Sequence, residues 1–571
     1  MRVFLKWCSH LTASGMAALL LLSFGEGILR LAGWGTSTSF FVKRETEAGR
    51  WYASSRAFYQ QYFNLPLGAI VHWDDLEFAI PAEKKPGTFR VFVFGGSAAN
   101  GTPPDPAYAF WRVLEAMLEL RFPDRRFEFC CVASPGANSH VMLAAARACA
   151  RHQPNLFLIC MGNNEFIGPY GAGSSITRAY QPSLTRIRLQ QMIRGLRLYQ
   201  WMEGAPPYRE LSARVVTAAD VWRYLTPIDP DGDSARQVVK NFEVNLSGMI
   251  RLADRAGAAV VIVPPLVNLR VWPPLVSAVG RDLDSRQRAE WTRLWREGLA
   301  YERSGDAEAA LASYRGAAAI DDRHAELCWR IGRLLLGQGE SGAARTWLIR
   351  ARDRDWVIAR APSSILEATR RVADNTGAVL IRQLPGRNPE TWVPGGDEVF
   401  DNVHPTFEGN WLLAAACYPA VAALLDRSRG SGSAVPPEPP DREAVRARLA
   451  LTAGLEAEHC ESVTRKMTIW GQGPLDAVLQ RIDRRRQTLE EHAKQAETDP
   501  HLVLLEAWRQ HPKDYWIGSR LFWSLVNRGR LDEARQVWER LEAAHPARRS
   551  IQRAGIQLDR LQQPPPAVET T

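Results

Sequence analysis

Residues 89–94 (FRVFVF) are a short, apolar, β-rich run that stops at Gly95-Gly96-Ser97, and the pattern recurs along the chain. Residues 127–132 form a second such run, and residues 156–161 a third that stops at Gly162-Asn163-Asn164-Glu165. Residues 259–263 (AVVIV) stop at Pro264-Pro265, and residues 378–382 (AVLIR) are a further strand candidate. Segments with helical spacing stand between them: 110–120, the alanine-rich 141–150, and 242–258. Strands alternating with helices predict an α/β fold, a parallel sheet covered on both faces. Such sheets place their sites at the carboxyl ends of the strands. The glycine- and asparagine-rich stops all fall there.

The length of 571 residues predicts three or four folded units. A mean hydropathy of −0.24 excludes a multi-span transporter. With 71 basic against 62 acidic residues, the net charge of +9 is mild and spread out, so composition points to no nucleic-acid partner. None of the eight cysteines shows CxxC spacing, which leaves a zinc ribbon or redox motif without support. Cys130 and Cys160 end apolar runs, where thiols serve as small buried hydrophobes.

Arg2 and Lys6 precede an uncharged stretch over residues 11–24, with Glu26 and Arg30 beyond it. Its length suits a signal-peptide core and falls short of the ~20 residues of a comfortable span. No Ala-x-Ala cleavage site follows, so residues 1–34 are expected to be an uncleaved signal anchor. Basic residues ahead of it favour an inside N-terminus. The chain is then expected in the cytoplasmic membrane as a single-pass protein, with its bulk extracytoplasmic (periplasmic), or secreted if the signal is cleaved. Residues 35–86 read as a juxtamembrane region.

An internal repeat interrupts the α/β pattern. Gly298, Tyr301, Ala310, Tyr314 and Ala317 are matched 34 residues later by Gly332, Leu335, Ala344, Leu348 and Ala351. That period with small residues at these offsets resembles the tetratricopeptide repeat, a pair of antiparallel helices. A further copy is marked by Ala534, Trp538 and Pro546, with Pro512 one period earlier. The organisation expected is an α/β unit over 87–284 and 357–426, with the repeats over 285–356 inserted. Residues 427–440 (RSRGSGSAVPPEPP) read as a linker, 441–561 as a helical C-terminal domain, and 562–571 as a disordered tail.

Four blocks carry the chemistry. Ser97 stands on a glycine turn after the first strand, where the tight backbone exposes the hydroxyl and aims the amides that follow. Gly136, in Ser134-Pro135-Gly136-Ala137, follows the second strand. Asn164 follows the third, and its amide is able to donate to a developing oxyanion. Asp401-Asn402-Val403-His404 comes last; an Asp three residues before a His orients the imidazole and leaves its other nitrogen as general base. Taken singly, each block is also met as an ordinary turn or loop.

Together, and in this order, the blocks resemble the SGNH hydrolases, also called the GDSL family. The resemblance covers about residues 87–270 and 357–426 and implies a flavodoxin-like three-layer sheet. It implies that Ser97 is the nucleophile, with His404 and Asp401 completing a triad. It also implies that the Ser97 amide, the Gly136 amide and the Asn164 side chain form the oxyanion hole. Two positions depart from the family pattern: Gly96 stands where an Asp precedes the serine, and Glu165 stands where the third block carries Asp. The activity implied is a serine esterase or deacylase, working through a covalent acyl-enzyme on an ester or acylated substrate such as a glycan or lipid. No cofactor and no metal are implied.

The same residues would serve an O-acyltransferase, and an inert scaffold binding a protein partner through the repeats is the reading from another class. His140 is a helix-start residue or a pocket wall, and Asp397 is a fallback acid. Trp392 is a wall of the cleft or a packed loop residue, and the arginines of 481–486 read as a solvated helix face.

Overall fold

The computed structural model describes residues 2–63, 77–102, 105–174, 180, 182–203, 225–427, 438–468, 476–496 and 499–563. Five strands form one parallel sheet: β4 (Thr88–Gly95), β5 (Arg126–Cys131), β6 (Leu156–Cys160), β7 (Ala259–Ile262) and β8 (Val379–Leu380). Their order, β5-β4-β6-β7-β8, is the doubly wound one whose chain direction across the sheet reverses at its first strand. Every residue of β4 is buried, because both faces are covered. Phe92, Phe94, Phe157 and Ile159 pack under the helices Ser139–Cys149, Asp233–Arg255 and Ser363–Thr376. The alternate residues Val91, Val93, Leu156 and Leu158 meet the helices Phe110–Arg121 and Phe407–Arg427. The fold is the expected three-layer α/β sheet.

Three sequence expectations change. The last strand is two residues long rather than five, because the chain turns away at Leu384-Pro385-Gly386, where Gly386 has φ 66°. The helix expected over 242–258 begins earlier, at Asp233, whose carboxylate complements the helix N-terminus. Residues 35–86, expected as a juxtamembrane region, contain the antiparallel strands β1 (Phe41–Thr46), β2 (Gly49–Ser54) and β3 (Ala79–Pro81). Phe40, Phe58, Tyr59 and Phe78 join this small sheet to the main core, so the segment belongs to the α/β unit.

The N-terminal helix spans Arg2–Leu31. Part of the expected signal-anchor stretch, residues 11–24, lies outside the residues whose side chains are described. Among the described residues no helix is long and apolar enough to cross a membrane, so the signal anchor and the membrane-spanning reading have no support.

The inserted repeats are four helices, Ser285–Ser304, Ala307–Ile320, Ala325–Gly337 and Ser341–Asp353. Gly298 faces Tyr314 and Gly332 faces Leu348, the same small-against-large fit repeated one period apart. Leu348 also belongs to the core beneath the sheet, which ties the insertion to the α/β unit. Beyond the linker, the described residues of 442–562 form helices joined by short turns, with a core around Trp508, Leu521, Phe522 and Leu541. Most of the expected linker (428–437) and all but two residues of the expected tail lie outside the described residues.

Candidate active site

The four blocks meet at the carboxyl end of the sheet. Gly95 ends β4 where β4 and β6 run so close that a Cβ would strike the Cys160 carbonyl. The chain then turns into a one-turn helix, Ser97–Asn100, with Ser97 as its first residue. A first-turn amide has no partner within its own helix, which leaves the Ser97 N–H free of an intrahelical acceptor. Ser97 Oγ lies 2.7 Å from His404 Nε2, across 307 residues of sequence.

His404 is held from behind. Its Nδ1 lies 2.6 Å from Asp401 Oδ2, while Asp401 Oδ1 accepts the backbone N–H groups of Val403 and His404 at 2.9 and 2.8 Å. Asp401 is fully buried. Burial alone would raise its pKa, but the charge and hydrogen bond of His404 and the two amides outweigh this and hold it below the ordinary value. A carboxylate accepts only, so Nδ1 carries the proton toward Asp401 and Nε2 is left to accept from Ser97 Oγ.

The loop bearing Asp401 is fixed by residues that motif reasoning missed. Asn268 is buried, donates through Nδ2 to the Asp401 carbonyl at 2.8 Å and takes the Val271 N–H at 2.9 Å. Asn402 donates to the Ala359 carbonyl at 2.8 Å. Arg360 is buried and donates to the Asn268 carbonyl at 2.7 Å. The signal available was two asparagines and an arginine in otherwise apolar surroundings, which shows only that they are hydrogen-bonded.

Gly136 occupies the third position of a Pro-Gly turn: its φ is 72°, and Ala137 N donates to the Ser134 carbonyl at 3.0 Å. Asn164 Nδ2 donates to the Ala137 carbonyl at 3.0 Å, which ties the second and third blocks together. An amide nitrogen carries two protons, so one remains for a ligand. Gly96 fits against the same atom: a Cβ there would collide with Asn164 Nδ2. A cavity of about 10 Å3 beside Ser97 is lined by Ala98, Ala137, Met161 and Asn164 among others.

Glu165 lies beneath this wall. It accepts the Ser139 N–H at 3.0 Å and the Ser139 hydroxyl at 2.7 Å, so it caps the Ser139–Cys149 helix. Burial lifts its pKa to about 7 against those two hydrogen bonds. His140 is buried in the first turn of that helix, 3.2 Å from Asn245 Nδ2, which is the helix-start reading. Asp397 does not approach His404. It is exposed and pairs with Arg270 at 2.8 Å and Arg481 at 3.0 Å. Arg481 and Arg485 therefore reach the loop before Asp401 rather than forming only a solvated face. Trp392 is packed in its loop beneath Arg387.

The sheet is doubly wound, and a hydrogen-bonded Ser97–His404–Asp401 constellation lies at its carboxyl edge. No protein-family model matches this chain, and no curated protein sequence does. Among solved structures it is similar to an α/β hydrolase from the metagenome of Lake Arreo, Spain. That likeness has 11% identity, spans 59% of this chain and 96% of the other, and has a TM-score of 0.27. A GDSL-like lipase from Bacteroides thetaiotaomicron aligns at 13% identity over 61% of this chain and 93% of its own, with a TM-score of 0.26. An acetylxylan esterase from Geobacillus stearothermophilus aligns at 10% identity over 58% and 94%, also at 0.26. Likeness at this level carries no functional weight.

Proposed function

We propose that the chain is an SGNH-type serine hydrolase that cleaves esters of short acyl groups. The observation that supports this best is the 2.7 Å separation of Ser97 Oγ and His404 Nε2, with Asp401 behind the ring. Ser97 Oγ attacks the ester carbonyl as His404 Nε2 takes its proton, and Asp401 stabilises the imidazolium that forms. The Ser97 amide, the Gly136 amide and the second proton of Asn164 Nδ2 hold the oxyanion. His404 then returns the proton to the leaving alcohol, and water attacks the acyl-enzyme by the reverse path. The cavity of about 10 Å3 beside Ser97 admits roughly one water-sized group, which favours acetyl over longer chains.

A fluorophosphonate probe on the full chain, with the adduct mapped by mass spectrometry, tests the nucleophile without a known substrate. The expected result is modification of Ser97 that is abolished in His404→Ala. An adduct elsewhere, or none on folded protein, overturns the reading. With aryl esters, acetate is expected to be hydrolysed at least about tenfold faster than octanoate, since excess chain length meets a packed wall.

A further inference from the structure

Four arginines line an open groove of about 210 Å3 on the face of the α/β unit formed by three helices. Arg147 comes from Ser139–Cys149, Arg188 from Leu184–Arg194, and Arg251 and Arg255 from Asp233–Arg255. Leu143, Val244, Gly248 and Leu252 complete the lining. All four arginines are exposed, and none forms an ion pair with a carboxylate among the described residues. Elsewhere on this surface arginines are commonly paired, as Arg371 is with Glu243 and Arg236 with Asp233. Four like charges gathered without counter-charges repel one another, and an anion relieves that repulsion.

The second observation adjoins the first. Met192 follows Arg188 by one helical turn, and Met192, Leu189 and Ile193 are 66, 49 and 39% exposed. The next helix, Arg197–Glu203, adds exposed Trp201 and Met202. The N-terminal helix lies against it: Glu26 accepts the Leu198 N–H at 2.9 Å and is neutralised by Arg30 at 2.6 Å. Of the 22 large apolar side chains exposed among the described residues, 14 fall in residues 16–34 and 189–202. Residues 184–202 hold four arginines and no acidic residue. An apolar strip flanked by unpaired arginines is the composition of a surface that lies in a lipid headgroup layer.

We propose that the groove and the strip form one docking surface for a bilayer rich in anionic phospholipid. The guanidinium groups take headgroup phosphates, and Leu189, Met192, Ile193, Trp201 and Met202 enter the acyl boundary. The mode is in-plane seating and requires no membrane-spanning helix.

The test is sedimentation of the full chain with phosphatidylcholine vesicles, with and without about one-quarter phosphatidylglycerol. The anionic vesicles are expected to bind at least about tenfold more tightly, since each basic residue near such a surface adds several-fold. Replacing Arg147, Arg188, Arg251 and Arg255 with Gln removes that preference. A charge-matched control, with Gln at Arg286, Arg296, Arg315 and Arg540, keeps it. Leu189→Ser with Met192→Ser also lowers binding at least about fivefold. Equal losses in the two arginine variants overturn the proposal, because charge alone would then explain binding. Loss in the groove variant with none in the Leu189/Met192 variant also overturns it, because the groove would then take a soluble anion. Thermal unfolding of each variant checks the fold, and Arg251→Gln with Arg255→Gln is the milder version if the fourfold variant is unstable.

Discussion

Gly96 and Asn164 share one small volume beside Ser97, so each limits what the other can be. A side chain at position 96 collides with Asn164 Nδ2, the group proposed to hold the oxyanion. Gly96→Asp is therefore expected to displace Asn164 and to cut kcat by about 10²–10³, the loss also expected for Asn164→Ala. The double variant is expected to be no worse than either single one, because both remove the same donor. Additive losses in aryl-ester kinetics would refute that coupling. Glu165 allows a pH test of the shelf beneath. Its folded pKa of about 7 lies above the ordinary 4.5, so the folded state binds this proton more tightly than the unfolded state does. The stabilisation is complete below about 4.5 and is lost as pH rises toward 7. Thermal midpoints of the native chain should thus fall relative to Glu165→Gln across that window. Parallel curves would show that Glu165 titrates normally.

At the level of elements, the strand ends and the helix pairs were legible because each carries a local signature. β4 and β6 are near-continuous apolar runs closed by Gly95 and Gly162, and the inserted helices repeat a small residue opposite a large one. The antiparallel strands of residues 41–81 were not legible. β1 (Phe41–Thr46) carries three consecutive charged residues, Lys43, Arg44 and Glu45, which hide any two-residue alternation, and its anchoring aromatics are scattered through turns and a short helix. The order of Ser97, Asp401 and His404 along the chain could be read, but the support of the proposed triad could not. Asn268 and Arg360 matter through partners far away in sequence, and no spacing encodes that. The helix pairs give a sharp prediction. A Cβ on Gly332 would sit 2.6 Å from Leu348 Cγ, in a layer that also touches the main core. Gly332→Ala should destabilise the full chain by about 1–3 kcal/mol through overpacking, despite its better helix propensity. Denaturant unfolding measures this, and a stabilised variant would mean that the helices separate freely.

Across the whole molecule, the C-terminal helices hold the α/β unit through buried charge rather than a purely apolar seam. Asp514, at the start of the Tyr515–Asn527 helix, meets Arg112 at 2.8 Å and Arg448 at 2.9 Å, and the side chains of all three are almost fully buried. Arg112 belongs to the helix that covers one face of the sheet. A second clasp joins Arg520 to Asp105, just beyond the Ser97 turn, and a third joins Arg481 to Asp397, just before Asp401. Both ends of the proposed site are therefore braced from the same C-terminal unit. Burial alone would raise the pKa of Asp514, but Arg112 and Arg448 outweigh it and depress the value strongly. Its stabilisation is present above the ordinary carboxylate pKa and is lost as pH falls through the folded value. Asp514→Ala leaves two guanidiniums buried without their shared partner and should cost about 3–5 kcal/mol. Replacing Arg112 and Asp514 together by Met and Leu should recover part of that loss, because only Arg448 then lacks Asp514, and Glu119 still faces it at 2.6 Å. If Asp514→Ala unfolds at the native denaturant midpoint, the junction does not carry this energy. If it is destabilised but fluorophosphonate still labels Ser97 at the native rate, the brace serves stability alone, and the shape of the site is set within the α/β unit.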